Sequence, residues 1–291
     1  MPTQIGLIGL GIMGSAYASN LIKHGFSVCG YDVAMEARER LAAAGGRAVA
    51  NATEVAAVCD RILVALPSPA ALDKVSREIA PRLGEGALVC EMGTFALADK
   101  QAAREKIEAS GALMLDCPVS GTGAQAANGD LVIFASGEES GCAAMAPIFA
   151  AISRRVLFSG AFGAGMKLKC VANLLVSVHN LATAEAMALA ERSGLDLALT
   201  FDAIREGAGN SRIWELRAPL MAAGRYEPAS MKLDVHLKDL AVIKAFADSF
   251  GALTPLLDAS APFYHAAVAA GRGREDTAAL YETLIATAIA R

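Results

Sequence analysis

Lys169 and Asn173 stand four residues apart in the run Gly160-Ala-Phe-Gly163-Ala-Gly165-Met-Lys167-Leu-Lys169-Cys-Val-Ala-Asn173. At that spacing two side chains share one face of a helix. The glycines let the chain pass close to a ligand just before the helix begins. A lysine near a helix N-terminus and a cationic ring has its ammonium form disfavoured, so its pKa should fall from ~10.4 toward neutrality. Such an amine can take a hydroxyl proton and return it. Asn173 would then hydrogen-bond the amine or the substrate oxygen. A helical lysine is more often a solvated surface group, and Lys167 is expected to be one.

Two further clusters carry polar groups in apolar surroundings. Asp116-Cys117-Pro118-Val119-Ser120-Gly121-Thr122-Gly123-Ala124 follows a strand-like run. There the Ser120 hydroxyl and the amides around Gly121 and Thr122 suit a carboxylate; a plain glycine loop between domains is the alternative. His236-Leu237-Lys238-Asp239-Leu240 lies within an apolar helical pattern. Lys238 would reach a cofactor and Asp239 would orient it beside the substrate, although spacing alone favours an exposed, salt-bridged face.

The electron chemistry would come from a dinucleotide. Gly9-Leu10-Gly11-Ile12-Met13-Gly14 follows a strand and opens a helix. Gly9 allows the tight turn, Gly11 the approach of the pyrophosphate, and Gly14 the close packing of helix on strand. Asp32 ends the next strand about twenty residues on, where a carboxylate accepts the ribose hydroxyls and repels a 2′-phosphate. NAD is therefore expected over NADP, and FAD is disfavoured for want of a second nucleotide-binding half. Asp32 could also serve as a helix N-cap. Leu66-Pro67 and Thr94 end later strands, where the crevice of an open α/β sheet lies, and are assigned to the cofactor.

The elements that must hold these residues follow from periodicity. Apolar runs at Gln4–Ile8, Ser27–Tyr31, Arg61–Leu66, Ala87–Met92 and Ala112–Cys117 alternate with helical patterns at Met13–His24, Met35–Ala44, Ala70–Leu83 and Leu97–Ala109. Strands apolar on both faces, joined by helices, imply a parallel doubly wound sheet. A last αβ pair is expected from Gly141 to Ser159. Beyond Gly160 only helices are expected. The first runs from Met166 to about Ser193, roughly 40 Å at ~1.5 Å per residue, and stops at Gly194. Others follow at Ala198–Glu206, Val235–Ser249, Pro255–Ala270 and Asp276–Ala290. The fold class is thus α/β: an N-terminal Rossmann sheet over residues 1–160 and an all-α domain over 161–291, joined by a long interdomain helix.

Composition narrows the function. The net charge of -4, without like-charge runs, argues against a nucleic-acid partner. No uncharged apolar stretch reaches the ~18 residues of a membrane span, and the N-terminus lacks the basic region of a signal peptide. Six cysteines without a CxxC pair read as reduced core thiols of a cytoplasmic protein. The four histidines show no metal-ligand spacing.

Taken together, GLIGLGIMGSAYASNLIKHG, DCPVSGTGAQAANGDL, GAFGAGMKLKCVANLL and HLKDL fall in the order found in the β-hydroxyacid dehydrogenases, and the chain resembles that family from its first strand to its C-terminal helices. The resemblance implies an NAD-linked oxidoreductase interconverting a small β-hydroxy acid and its semialdehyde or keto acid. It also implies a homodimer or homotetramer built on the long helix. Lys169 would be catalytic with Asn173 beside it, Ser120 and Gly121 would bind the substrate carboxylate, and Thr94 and Lys238 would flank the cofactor. The family includes 3-hydroxyisobutyrate dehydrogenases, tartronate semialdehyde reductases and L-threonate dehydrogenases. Thr122 replaces a usual glycine, and Ala172 stands where some relatives carry an asparagine three residues after the lysine, this chain keeping Asn173 at four; both fall near the substrate. Asn210-Ser211-Arg212 before Trp214 looks closest to the L-threonate branch; Arg212 pairing with a carboxylate and Trp214 filling the core are the alternatives. The rivals are an imine reductase, against which Lys169 argues, and a non-catalytic dinucleotide-binding scaffold.

Overall fold

The computed structural model describes residues 4–286. It divides into two compact units, Met1–Lys169 and Cys170–Arg291.

In the first unit, β1 (Gln4–Ile8), β2 (Ser27–Tyr31), β3 (Arg47–Ala48), β4 (Arg61–Val64), β5 (Leu88–Glu91) and β6 (Leu113–Asp116) form one sheet. Their spatial order is β3-β2-β1-β4-β5-β6, and every pairing is parallel. The crossovers are α1 (Ile12–Lys23), α2 (Met35–Ala43), α3 (Ala52–Val58), α4 (Pro69–Ile79) and α5 (Leu97–Glu108). The unbroken apolar runs have a simple cause. Successive strand residues point to opposite faces, and both faces are covered by a core. Leu88, Cys90 and Leu115 enter one cluster, Val89 and Met114 the other.

This is the expected doubly wound sheet, with β3 and α3 added in the stretch between Ala44 and Arg61 to which the periodicity assigns nothing. A second, small sheet also follows. β7 (Val119–Ser120) pairs antiparallel with β8 (Val132–Ala135), which pairs in parallel with β9 (Arg155–Phe158). Between β7 and β8 lies α6 (Gly123–Ala127); α7 (Glu139–Ala144) and α8 (Ala146–Ile152) fill the expected last αβ pair.

The long helix α9 spans Ala164–Arg192, beginning in the first unit and continuing in the second. Gly194 ends it as expected, with φ +79 and backbone bonds back to the last turn. The described part of the second unit is helical: α10 (Leu197–Arg205), α11 (Arg212–Ala223), α12 (Leu233–Ser249), α13 (Pro255–Ala267) and α14 (Leu280–Ala286). The periodicity does not mark α11, because Pro219 interrupts the pattern inside it. The last expected helix is shorter at its start, where Thr277–Ala279 form a 3-10 turn, and its residues after 286 lie outside those described. Trp214, Met187, Leu240, Leu257 and Tyr264 are buried in one core there.

Candidate active site

The nucleotide end is built from the β1–α1 turn. Gly9 has φ +95, and a Cβ there would stand 2.1 Å from the Ala65 carbonyl oxygen. A Cβ on Gly14 would lie 1.9 Å from the Gly9 carbonyl oxygen. Over Gly11 there is open space within 4 Å, and no side chain caps α1 at its N-terminus. Free amides at the positive end of a helix, under an open glycine, make a cradle that fits a dinucleotide pyrophosphate. Leu10 is buried, Ile12 is exposed and Met13 is half-buried beside it.

Asp32 serves this turn and does not cap α2, whose N-cap is Ala34. Its Oδ2 accepts from the Leu10 amide at 2.7 Å, and its Oδ1 from the Ala34 amide at 2.8 Å. Each oxygen keeps a lone pair for a ribose hydroxyl. Leu66 lies over Gly9, Pro67 is exposed at the end of the turn, and Ser68 caps α4.

At the ends of β5 and β6 one buried cluster bonds the turn before Thr94 and the start of the helix that carries Lys169. Glu91 closes β5, Asp116 closes β6, and Lys100 from α5 reaches both at 2.6 Å; all three side chains are fully buried. The second oxygen of Glu91 accepts from the Gly93 amide at 2.6 Å, fixing the turn that carries half-buried Thr94. The second oxygen of Asp116 accepts from the Met166 amide at 2.8 Å and from the Ser136 hydroxyl at 3.1 Å. That hydroxyl in turn accepts from the Gly165 amide at 2.9 Å. Two otherwise unpaired donors in the first turn of α9 are thereby satisfied, and a carboxylate faces its positive end. Burial pushes the Glu91 carboxyl above its ordinary range, offset in part by Lys100. Burial alone would lower the Lys100 ammonium, but Glu91 and Asp116 outweigh it and hold it above the usual lysine range.

Lys169 comes one turn after Met166 and is buried, whereas Lys167 is exposed. Lys167 edges an open pocket of about 350 Å³ that is also lined by Leu97, Gln101 and Phe162. Ser120 ends β7 half-buried, and Gly121 packs where a Cβ would meet Leu131 at 2.5 Å. Thr122 caps α6 in a capping box with Gln125, so its hydroxyl serves the local backbone.

In the second unit, Asn173 Nδ2 donates to Asp239 Oδ2 at 3.1 Å, and Lys238 Nζ stands 3.1 Å from Asp239 Oδ1. The salt bridge that spacing allowed is thus present, but on a buried carboxylate beside buried Asn173 rather than on an exposed face. A carboxylate only accepts, so the Asn173 carbonyl points away from Asp239. Arg212 and Asn210 are spent on Glu215, at 2.9 and 3.0 Å, while Ser211 caps α11 and Trp214 fills the core. Glu91 and Lys100 were not singled out from sequence, and Asp116 only as the start of a motif. The available signal was an acidic residue closing each of two apolar strands, which demands a buried partner.

Residues 4–171 match the family model for the NAD binding domain of 6-phosphogluconate dehydrogenase. Residues 163–284 match that for the NAD-binding domain of NADP-dependent 3-hydroxyisobutyrate dehydrogenase. The chain belongs to the β-hydroxyacid dehydrogenase family, NAD(P)-dependent oxidoreductases acting on the CH–OH group of hydroxy acids. L-threonate dehydrogenase of Cupriavidus necator is 36% identical, the match covering 96% of this chain and 95% of that one. The mitochondrial 3-hydroxyisobutyrate dehydrogenase of Rattus norvegicus is 34% identical over 73% of this chain and 64% of its own. Among solved structures, 3-hydroxyisobutyrate dehydrogenase of Salmonella typhimurium superposes with a TM-score of 0.88 at 32% identity, covering 96% of this chain and 99% of that chain. No helix among the described residues is long and apolar enough to cross a membrane.

Proposed function

We propose that the chain oxidises a small β-hydroxy acid with NAD, and that Lys169 is the acid–base group. The observation that carries this reading is the burial of Lys169 one turn into α9, in the same unit as the dinucleotide cradle. Bound nicotinamide supplies the hydride acceptor. Lys169 takes the hydroxyl proton during oxidation and returns it to the alkoxide during reduction, while Asn173 steadies the amine or the substrate oxygen. Ser120, with the Gly121 amide, holds the substrate carboxylate, and Asp239 orients Asn173; the Thr122 amide instead donates to Gln125 Oε1 at 3.0 Å. Thr94, Leu66, Pro67 and Lys238 bound the cofactor, and Asp32 selects NAD by accepting the ribose hydroxyls.

The substrate is drawn from the class that includes L-threonate and 3-hydroxyisobutyrate. Likeness to L-threonate dehydrogenases over nearly the whole chain favours a hydroxylated acid. Homo-oligomerisation through α9 is supported by Leu168, Val171 and Leu175, an exposed apolar stripe at helical spacing. Six free, buried thiols suit a reducing, cytoplasmic setting.

The test is a spectrophotometric panel of L-threonate, 3-hydroxyisobutyrate, glycerate, 4-hydroxybutyrate and 3-hydroxypropionate against NAD and NADP, repeated with Lys169→Ala. We expect NADH affinity nearly intact in the variant and kcat reduced ~10²-fold or more. Unchanged turnover would remove Lys169 from the mechanism.

A further inference from the structure

We propose that the buried Glu91–Lys100–Asp116 triad is the positioning device of the active site, one ammonium setting both the turn that bears Thr94 and the helix start that bears Lys169. The inference rests on Lys169 being the acid–base group. Lys100 spans two strand ends, at 2.6 Å from each carboxylate. Neither carboxylate is spent on the ammonium alone. Each turns its other oxygen onto backbone that leads into the site: Glu91 onto the Gly93 amide, Asp116 onto the Met166 amide. Ser136 adds a second tether, donating to Asp116 and accepting from Gly165.

The seating is close as well as bonded. A Cβ on Gly165 would stand 2.3 Å from the Phe134 carbonyl oxygen and 2.9 Å from that of Asp116. The first turn of α9 thus rests on the strand-end backbone with no side chain between. Lys169 follows Met166 by one turn, so any shift or rotation of that turn moves the root of the amine with it. A buried ion triad is a poor way to gain stability, since apolar residues of like volume do as well or better. It is a good way to fix direction, because ionic hydrogen bonds are short and oriented. Displacing a reacting group by about 1 Å can cost ~10²-fold in rate.

Asp116→Asn and Ser136→Ala test this in the full-length protein, with Lys169→Ala alongside and whichever of L-threonate or 3-hydroxyisobutyrate is oxidised faster. NADH affinity is read separately by fluorescence titration, and all rates are taken well below each variant's Tm. We expect kcat of Asp116→Asn to fall about 10- to 100-fold and that of Ser136→Ala about 3- to 10-fold, with NADH Kd and substrate KM within about 2-fold. Wild-type kcat in folded variants, however much their Tm drops, overturns the proposal and leaves Lys169 in place. Loss of NADH affinity in step with kcat overturns it too, because that is general collapse. If Asp116→Asn does not fold, Ser136→Ala decides, its smaller truncation leaving the triad charges intact. Wild-type kcat in Lys169→Ala instead removes the reading beneath it.

Discussion

Lys100 and Lys169 are both buried, and Lys100 is clasped between two carboxylates. Two carboxylates hold Lys100 above the ordinary lysine range, so it stays charged at any working pH and cannot exchange a proton with a substrate. Its duty is to hold geometry. The glycine cradle makes an equally local claim. In Gly14→Ala the new methyl group would collide with the Gly9 backbone, which has no side chain to move aside. NADH binding by that variant should weaken at least ~10-fold, read by fluorescence titration, because the amides would leave their places around the pyrophosphate. Asp32→Asn tests selectivity: without the repelling charge, the ratio of kcat/KM for NADP to that for NAD should rise about 10-fold. An unchanged ratio would take Asp32 out of cofactor choice.

Between elements, β5, β6 and α5 are joined by charges removed from water. Removing one member of such a group leaves the others uncompensated, so Lys100→Met should lose about 3–5 kcal/mol. The pH dependence has a definite sign. A carboxyl with its folded pKa raised binds more protons folded than unfolded, so its contribution is greatest at low pH and fades as pH rises above the unfolded value. Glu91 is raised by burial in the wild type, and losing Lys100 raises it further. Differential scanning calorimetry should therefore show the Tm gap between Lys100→Met and wild type widening from pH 5 to pH 8. A gap constant across that range would mean the carboxylates are not held uncompensated. Lys100 itself contributes stability up to its unfolded pKa of ~10.4, lost only as pH rises through its higher folded value. At the other end of α9, Gly194→Ala forces a Cβ into the left-handed region and should cost about 1 kcal/mol in chemical denaturation.

At the scale of the molecule, α9 presents Leu168, Val171 and Leu175 to solvent, at 42%, 57% and 49% exposure. An apolar stripe on so long a helix is the surface that a second copy would cover. If a second copy covers this stripe, Val171→Asp combined with Leu175→Lys should lower the sedimentation coefficient toward that of a monomer; an unchanged sedimentation velocity profile would take the stripe out of self-association.

Much of this organisation was legible in the residues themselves, because it depends on local rules. Alternating apolar runs and helical patterns mark a two-sided parallel sheet, glycine spacing marks the cradle, and a glycine-free run ended by Gly194 marks α9. These signals lie within about thirty residues of chain, where periodicity and turn chemistry act. What the tertiary structure alone decided are pairings between distant segments. Val119–Ser120 is too short to read as a strand until β8 pairs with it, and Thr122 reads as a ligand until its capping box is seen. Lys100 reads as an ordinary helical lysine until β5 and β6 bring two carboxylates to it. An isolated charge or a two-residue strand has no local preference strong enough to declare its role; only burial beside a distant partner makes one arrangement far lower in energy than the rest.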